Sequence, residues 1–417
     1  MDPIIKSIFY NDNYLDFIYP SIVYFKINSD CNMDCFFCSQ SGNSKSELDI
    51  NKAKYILNEL RKINVVSIIY TGGEPLLYND LLELVKYGKE LGFKQTLVTN
   101  LFHIKDINVF DYVDSVGVSL HGTEITHNKI TGRKSFHKVL NNIDLLLRRN
   151  KILNLNSTLC AENTNRKDLG FLVKYARKNK LKLFFGRLNF IGYAKNQVKE
   201  DINNSLEIIN QFKSKYKYIY ISNCIAPCVV DEKYSYLVHS CGAGIVSISV
   251  NYRGDITICP SSNYVVGNIL ETNFKKILIK NKQLELYRNL AYLPNYCKCC
   301  KHAFSCRGGC HAEGNLFFWD NITDDLVNEK INNIEKMLSN KILYLNVNVI
   351  KREKNKFFII SNKIRCINKD GIKILMTIDG SKTFNEIVRN SKNEKIVKEF
   401  IVTLFIEKII EVKWDEM

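Results

Sequence analysis

Residues 31–38 read Cys31-Asn-Met-Asp-Cys35-Phe-Phe-Cys38, and this stretch directly follows the alternating apolar run Ser21–Asn28. Because the three cysteines are so close in sequence, their thiolates can bind three irons of one 4Fe–4S cluster. The fourth iron would have no ligand from this stretch and could chelate a small molecule. The pattern therefore predicts a site of chemistry, rather than a centre for electron storage alone.

Around this stretch, short β-branched runs alternate with helical patterns such as Ala53–Leu60 and Phe136–Leu147. Six β-then-α units indicate parallel strands with right-handed crossovers, too few for a closed eight-stranded barrel. We therefore predict an α/β fold with a partial (β/α)6 barrel, whose functional residues gather at the carboxyl ends of the strands. The predicted strands are Ser21–Asn28, Asn64–Tyr70, Lys94–Thr99, Ser115–Leu120, Ile152–Leu159 and Lys182–Asn189.

The cysteine triplet resembles the signature of radical S-adenosylmethionine (radical SAM) enzymes, with Phe37 at the usual aromatic position. The resemblance implies a TIM-like radical SAM barrel in which Cys31, Cys35 and Cys38 bind the catalytic 4Fe–4S cluster. The open iron of that cluster would bind SAM. One-electron reduction would cleave SAM to methionine and a 5′-deoxyadenosyl radical that abstracts hydrogen from the substrate.

The second predicted strand runs into Thr71-Gly72-Gly73-Glu74-Pro75. Glycines let a ligand approach the backbone, and we expect their amides to be free donors. A tight β-to-α turn is the plain alternative. Beside the cysteine triplet, the stretch resembles the Gly-Gly-Glu-Pro motif of radical SAM enzymes, which contacts the methionine amino group of SAM.

Four further polar residues lie where such a barrel would place functional groups. In the family, positions like Asn100 and Ser119 bind the ribose and carboxylate of SAM, although each could instead cap a helix or turn. Arg187 could reach a substrate carboxylate or SAM, or form a structural salt bridge. His121 receives no catalytic role, because hydrogen abstraction by a carbon radical needs no base.

A second set of cysteines resembles the SPASM auxiliary-cluster domain of radical SAM enzymes. That domain usually holds two more 4Fe–4S clusters, and thiolates at such spacings favour iron–sulfur or zinc. A zinc ribbon is the structural alternative. The set consists of Cys241, Cys259, Cys297, Cys300, Cys306 and Cys310.

The match to SPASM lacks the final cysteine expected about twenty residues beyond Cys310. By family analogy, one cluster takes Cys241, Cys259 and Cys310, and the other takes the remaining three cysteines. Each needs a fourth ligand or leaves an iron open to substrate. The candidates are Cys224 or Cys228 for the first, and Asp320, Asp324, Asp325 or Cys299 for the second. Two further cysteines, Cys160 and Cys366, are expected to be ordinary buried thiols.

The C-terminal residues 345–417 read as a small winged-helix-like unit. Two strand-like runs, Val347–Arg352 and Phe357–Ser361, precede helices over Asp370–Ile378, Lys382–Asn390 and Glu394–Lys408 and a strand over Ile409–Val412. This pattern resembles the PqqD-like domain, or RiPP recognition element, which binds the leader of a ribosomally made precursor peptide by strand addition. A generic winged helix, perhaps for nucleic acid, is the alternative.

Together the resemblances imply five segments. These are an N-terminal extension (1–20), the radical SAM barrel (21–220), a SPASM domain (221–325) with little core of its own, a linker helix (326–344) and the PqqD-like domain (345–417).

Composition and charge limit the partners and the cellular location that we expect for this protein. The formal net charge is +16, but the basic residues are spread along the chain, so we expect them to be solvated rather than to bind nucleic acid. Asp2, Lys6 and Asp12 do not form a secretory leader, and no apolar stretch is long enough to span a membrane. We therefore expect a cytoplasmic, anaerobic protein whose cysteines bind metal.

The resulting hypothesis is a radical SAM peptide maturase that forms a thioether or carbon–carbon cross-link, with epimerisation also open. A flavodoxin- or ferredoxin-type protein would donate electrons. The alternatives are an anaerobic sulfatase-maturating enzyme, which forms formylglycine, and an RNA-binding iron–sulfur protein.

Overall fold

The structure is a computed structural model of the 417-residue chain. It describes residues 20–39, 45–198, 201–222, 225–238, 242–262, 264–290, 292–294, 297, 300, 302–310, 312, 325–345, 349–353, 356–360, 364–367, 374–391, 394–406 and 410–412. The chain forms two compact units. The first comprises Met1–Ala291 with Gly309–Trp319, and the second comprises Tyr292–Gly308 with Asp320–Met417.

A curved, mainly parallel sheet forms the centre of the first unit. Its strands are β1 (Ile22–Asn28), β2 (Ser67–Gly72), β3 (Lys94–Thr99), β4 (Ser115–Ser119), β5 (Leu153–Leu159), β6 (Lys182–Arg187), β7 (Ile219–Ile221), β8 (Ser247–Val250), β9 (Asp255–Thr257) and β10 (Val265–Asn268). Among the described residues their order is β10-β9-β8-β1-β2-β3-β4-β5-β6-β7, with β10 and β7 as the two edges. All neighbours from β8 through β1 to β7 pair in parallel, whereas β9 and β10 are antiparallel.

Helices cover one face of this sheet. They are α1 (Ile50–Lys62), α2 (Leu81–Glu90), α3 (Glu124–Thr131), α4 (Phe136–Arg148), α5 (Arg166–Lys178), α6 (Ile202–Lys213), α7 (Phe274–Lys280) and α8 (Lys282–Arg288). In α4, for example, Val139, Ile143 and Leu146 recur at helical spacing and are all buried. None of the helices among the described residues combines the length and apolar character needed to cross a membrane.

The predicted partial barrel is confirmed. The predicted bounds of β3 agree with the structure, and those of the other five predicted strands differ by no more than a few residues. The open order of the sheet agrees with a barrel that does not close. The short strand β7 was not predicted, because three residues are too few to show a period.

The prediction that residues 221–320 have little core of their own is wrong. Strand β8 of this segment pairs in parallel with β1, and β9 and β10 extend the same sheet. Ile248, Val250 and Ile256 are fully buried there. Pairing with the barrel sheet therefore buries apolar residues of β8 and β9 in this segment.

Alternation along the strands separates a helix-facing side from a concave side. Gln95 of β3 is buried and donates its Nε2 to the Val85 carbonyl of α2 at 2.8 Å, while accepting from the Tyr70 hydroxyl at 2.6 Å. These contacts mark the helix-facing side. Thr71 follows Tyr70 and therefore lies on the concave side, as does its register partner Lys26 on β1.

The second unit contains short strands and helices. They are α9 (Ala303–Cys306), α10 (Asp325–Leu338), β11 (Leu343–Leu345), β12 (Val349–Glu353), β13 (Lys356–Ile360), β14 (Ile364–Ile367), α11 (Phe384–Arg389), α12 (Glu394–Ile406) and β15 (Ile410–Val412). The predicted strand pair is present as β12 and β13, but a third antiparallel strand, β14, joins them. Strand β15 was predicted and pairs with β11. Residues 370–373 of the predicted helix Asp370–Ile378 lie outside the described residues, and in its described part residues 374 and 375 are helical and 376 and 377 form a turn.

Candidate active site

The first cysteine loop, residues 31–39, begins three residues after β1 ends. Backbone hydrogen bonds hold it to two neighbouring segments. Asp34 donates to the Thr131 carbonyl at the end of α3 at 3.0 Å, and the Cys38 carbonyl accepts from Tyr193 at 3.0 Å. A Cβ on Gly192 would lie only 2.5 Å from the Cys38 carbonyl oxygen, so this approach requires glycine. The loop is thus fixed by contacts distant in sequence.

The three thiols of this loop are near enough to act on one another electrostatically. Burial, with a smaller contribution from neighbouring thiols, raises the pKa of Cys35 to about 12. Burial likewise raises the pKa of Cys31 to about 11. Because thiolates are the metal-binding form, loading this site must release protons.

Phe37 packs beside a small apolar cluster formed by Ile130, Cys160, Leu188 and Ala194. Cys160 is buried there, as expected of an ordinary apolar thiol. The Phe37 ring also meets the His121 ring edge-on, with centroids 4.9 Å apart.

His121 and its stacked neighbour His127 are held neutral. Burial lowers the pKa of His121 to about 3 and that of His127 to about 4. His121 Nδ1 accepts from the Thr158 amide at 3.3 Å, and His127 Nε2 lies 3.0 Å from the Ser135 hydroxyl. The two neutral rings therefore pack behind Phe37. This packing role agrees with the expectation that His121 has no catalytic role.

The Gly-Gly turn is shaped by the start of the cysteine loop. A Cβ on Gly73 would lie 2.1 Å from the Asp30 carbonyl oxygen, and one on Gly72 would lie 2.4 Å from that of Asn28. The Gly73 amide donates to the Asn28 carbonyl at 3.0 Å, so the expectation of free amides is wrong for Gly73. The glycines allow β2 to contact the strand that carries the cysteines.

Glu74 ties the ends of two strands together. Its Oε1 accepts from the Leu76 amide at 3.0 Å and from the Thr99 hydroxyl at 2.5 Å, and its Oε2 accepts from the Asn100 amide at 2.7 Å. Pro75 begins a short 3-10 helix that Glu74 caps. The carboxylate is buried, and both of its oxygens are used within the protein.

Asn100 is brought to the cysteine loop. Its Nδ2 donates to Asn32 Oδ1 at 2.8 Å and lies 3.9 Å from the Cys31 sulfur. Asn32 was not predicted, and only its place inside the triplet could have indicated it. Ser119 ends β4 and pairs with Asn156 of β5.

Arg187 lies on the other side of the sheet. It ends β6, is 4 % exposed and pairs with Leu159. Its alternation with Gly186 places it on the same side as the buried Phe185, which is the helix-facing side. This position favours the structural alternative for Arg187 over contact with a ligand in the barrel.

The second cysteine set is divided between the two units. Cys259 follows β9, and the Cys310 thiol donates to Asn189 Oδ1 at 3.5 Å. Asn189 Nδ2 donates to the Ser261 hydroxyl at 3.5 Å, which connects Cys310 to the turn after Cys259. Neither Asn189 nor Ser261 was predicted, since single polar residues in loops carry no periodic signal.

The cysteines of the second unit form a separate local group. The Cys300 amide donates to the Cys297 carbonyl at 3.1 Å, and the His302 amide donates to the Cys300 sulfur at 3.4 Å. Cys306 ends α9, and Arg307 after it adopts a left-handed conformation. The two units thus separate the described cysteines into the same two sets that the SPASM resemblance implies.

Two of the remaining candidate ligands lie in short elements or at a helix start within the described chain. Cys228 is exposed in the 3-10 turn Pro227–Val229, and Asp325 is the first residue of α10. The remaining candidates, Cys224, Cys241, Cys299, Asp320 and Asp324, lie outside the described residues.

The residues present fit iron–sulfur and SAM chemistry. Thiolates are the ligands of 4Fe–4S clusters, and each cysteine binds a different iron, so the sulfurs need not meet at one point. Within the described ranges, no three His, Cys, Asp or Glu side chains are placed to share a single ion. Beside the Gly-Gly turn, Asn28 Oδ1 is a buried acceptor without a hydrogen-bond partner among the described residues.

Comparison with known proteins agrees with this geometry. Residues 25–183 match the family model of the radical SAM superfamily, and residues 241–301 match that of the SPASM iron–sulfur cluster-binding domain. The chain contains a radical SAM domain and a SPASM domain. These domains bind 4Fe–4S clusters and SAM.

The radical SAM/SPASM chain is similar to several known proteins. SuiB of Streptococcus suis, solved bound to the precursor peptide SuiA, aligns with a TM-score of 0.61 and 18% identity over 74% of this chain and 76% of SuiB. The AdoMet-bound anSMEcpe aligns with a TM-score of 0.58 and 19% identity over 76% of this chain and 92% of that one. Both likenesses concern the fold.

A curated relative is the probable GTP 3′,8-cyclase of Saccharolobus solfataricus, which is 35% identical over 120 residues. That alignment covers 27% of this chain and 39% of the relative. The chain therefore spans about two fifths of the length of the curated relatives it matches first.

We expect Gly73→Ala to displace the cysteine loop. The added Cβ would overlap the Asp30 backbone, which cannot move as a flexible side chain could. Such overpacking costs about 1–3 kcal/mol, and here it acts on the loop that carries Cys31. Iron and sulfide analysis after anaerobic reconstitution should show reduced cluster occupancy. Gly170→Ala in α5, whose Cβ would meet only the Phe212 ring at 3.2 Å, is the control. Equal iron content in the two variants would contradict the expectation.

The buried Glu74 should make stability depend on pH. Burial raises its pKa to about 7 from its usual 4.5, although hydrogen bonds from Thr99, Asn100 and Leu76 lower it in part. Between these two values the folded chain binds a proton that the unfolded chain releases. Glu74 therefore makes folding less favourable as pH rises through this window.

We expect Glu74→Gln to remove the ionisable carboxyl group and, with it, this contribution to the pH dependence of the free energy of unfolding. The amide of the variant can accept through one atom only, so a donor is left unpaired at a cost of about 1–3 kcal/mol. In urea unfolding between pH 4.5 and 7.5, the wild type should lose its advantage over the variant as pH rises. A difference that stays constant with pH would show that folding does not raise the pKa of Glu74.

Proposed function

We propose that this chain is a radical SAM peptide maturase, which binds a ribosomally made precursor peptide and modifies its core after hydrogen abstraction. The observation that carries the proposal is the segment Asn189–Tyr193. Its first residue contacts Cys310, and its last donates to the carbonyl of Cys38. Four residue steps of extended chain span at most about 14 Å, so the two cysteine sites lie close together at the barrel mouth.

The proposed ligands follow from this arrangement. Cys31, Cys35 and Cys38 hold the SAM-binding cluster. Cys259 and Cys310 hold one auxiliary cluster together with Cys241. The other auxiliary cluster takes Cys297, Cys300 and Cys306, and an external flavodoxin or ferredoxin supplies electrons.

SAM bound at the reduced cluster supplies a radical that can abstract hydrogen from an unactivated carbon. The protein contributes positioning and exclusion of water. Asn100 holds the cysteine loop through Asn32, and Glu74 fixes Asn100 in turn. Gly72 and Gly73 allow the end of β2 to lie against that loop. Phe37 packs against the apolar cluster beside the loop. We assign Ser119, on the concave side, to the polar lining of the SAM pocket.

A peptide substrate is supported by two features. SuiB, whose fold this chain shares, is described as bound to its precursor peptide. The second unit contains the antiparallel sheet β12-β13-β14 followed by α11 and α12, and a sheet edge can accept an added peptide strand. Residues 347–417 carry 15 Lys and Arg against 10 Asp and Glu, which suits an acidic leader. We therefore assign leader binding to this unit.

The proposal is tested with the peptide encoded by a short open reading frame beside the gene. The reconstituted protein, SAM and dithionite should convert this peptide to a product lacking two hydrogens, located by tandem mass spectrometry in the core. Omission of SAM is the control. Leader removal should weaken binding in fluorescence anisotropy while leaving the intrinsic SAM cleavage intact. A peptide bound without any change in mass, both in H2O and in D2O, would overturn the maturase proposal, because epimerisation would add one deuterium in D2O.

The second candidate, a sulfatase-maturating enzyme, is favoured by the fold likeness to anSMEcpe. It does not account for the C-terminal sheet and helices. An aldehyde formed on a Cys- or Ser-containing sulfatase peptide would support it. RNA affinity that falls steeply with salt would instead support the RNA-binding alternative.

A further inference from the structure

Lys26 is a charged residue in the middle of a strand otherwise rich in apolar side chains. Its side chain lies on the concave side of β1 and is half-buried. The adjacent residues Phe25 and Ile27 lie on the other side of the sheet and are fully buried. A charged group in such a position needs an opposite charge, because desolvation of an unpaired ammonium is costly.

The groups near Lys26 that can carry negative charge are thiols of the two cysteine sites. The thiols of Cys38 and Cys259 both lie within electrostatic range of its ammonium group. No carboxylate and no hydrogen-bond acceptor pairs with that ammonium within the part of the chain that is described. Lys26 therefore faces one cysteine of each proposed cluster site rather than a protein carboxylate.

Independent contacts tie the two cysteine sites to one short segment of the chain. Cys38 is held by Tyr193, and Cys310 is held by Asn189, on a single short segment after β6. Ser261, which binds Asn189, follows Cys259 by two residues. Lys26, Cys38, Cys259 and Cys310 all belong to the first compact unit.

We propose that Lys26 is a positioning residue that holds one positive charge between the SAM-binding cluster and the first auxiliary cluster, and so raises the reduction potential of both. Reduction adds negative charge to an iron–sulfur cluster, and a nearby cation stabilises the reduced form. One ammonium shared by two clusters would make both easier to reduce. The inference goes beyond the proposed function, but it rests on the proposed ligands Cys38 and Cys259.

The test is a redox titration followed by EPR on reconstituted full-length protein. In Lys26→Met, which keeps length and removes charge, both clusters should titrate at more negative potentials than in wild type. Lys26→Arg keeps the charge and should restore most of the shift. Iron and sulfide content should equal that of wild type, so that a shift does not reflect cluster loss.

Four outcomes would overturn the inference. Unchanged potentials in Lys26→Met would show that the ammonium acts on neither cluster. If SAM binding in equilibrium dialysis were also weaker in that variant, Lys26 would be assigned to the SAM carboxylate. Equal shifts in the Met and Arg variants would indicate a packing effect instead of charge. Loss of iron would show that Lys26 is needed for assembly rather than for tuning.

Discussion

Replacement of Cys31, Cys35 and Cys38 together by alanine is expected to abolish SAM cleavage. These cysteines are the thiolates of the loop after β1, and their removal leaves no ligand there for the SAM-binding cluster. Iron content should fall from about twelve to about eight per chain, because each 4Fe–4S cluster contributes four irons. Anaerobic reconstitution with iron counting, Mössbauer or EPR spectroscopy and detection of 5′-deoxyadenosine measures both effects.

The control for this variant is Cys160→Ala. Cys160 is a buried thiol that packs among Ile130, Leu188 and Ala194, away from the cysteine triplet in sequence. It should retain full iron content and SAM cleavage. If the wild type held about four irons and the triple variant none, the SPASM cysteines would carry no iron–sulfur cluster. Retained SAM cleavage in the triple variant would place the catalytic cluster elsewhere.

The barrel could be predicted from the sequence because its signals are local. Each strand such as β3 alternates buried and less buried residues, and each helix repeats apolar residues at helical spacing. The cysteine loop and the Gly-Gly turn follow strands directly, so their meeting at the strand ends also followed from the pattern. Contacts between Asn100 and Cys31 agree with that expectation.

The parts of the fold and of the site that could not be predicted depend on contacts between residues distant in sequence. Pairing of β8 with β1 joins residues such as Ile22 and Ser247, and no local period encodes that partner. The same holds for the role of Glu74, whose three donors come from two different segments.

The half-buried Lys26 shows the same dependence on residues distant in sequence. Lys26 was visible in the sequence as a charge inside a predicted strand. Its significance needed the position of Cys259, more than two hundred residues later in the chain. Cysteine spacing predicted both ligand sets, but the position of Lys26 near Cys38 and Cys259 could be read only from the fold.

Replacement of Cys259 and Cys310 together by alanine is expected to separate SAM cleavage from product formation. The first cysteine loop is held by Tyr193 and by the end of α3, so its cluster should assemble in this variant. Iron content should fall by about four per chain. SAM cleavage should continue, whereas peptide product should fall below detection.

This separation follows from electron balance. Hydrogen abstraction leaves a substrate radical, and closing a cross-link from it requires the loss of one more electron and one proton. If the cluster at Cys259 and Cys310 accepts that electron, its removal leaves the radical without an oxidant. With a peptide deuterated at the abstracted carbon, hydrogen return from the methyl group of 5′-deoxyadenosine should then replace deuterium by protium in the recovered peptide, and mass spectrometry should find the deuterium in 5′-deoxyadenosine.

Asn189→Ala is the matched control for the double variant. It removes the contact between Asn189 and the Cys310 thiol but keeps both cysteines. It should retain full iron content and product, with at most an altered potential of the auxiliary cluster. Product formation by the Cys259/Cys310 variant at the wild-type rate would show that this cluster is not the electron acceptor. The acceptor would then be sought at Cys297, Cys300 and Cys306.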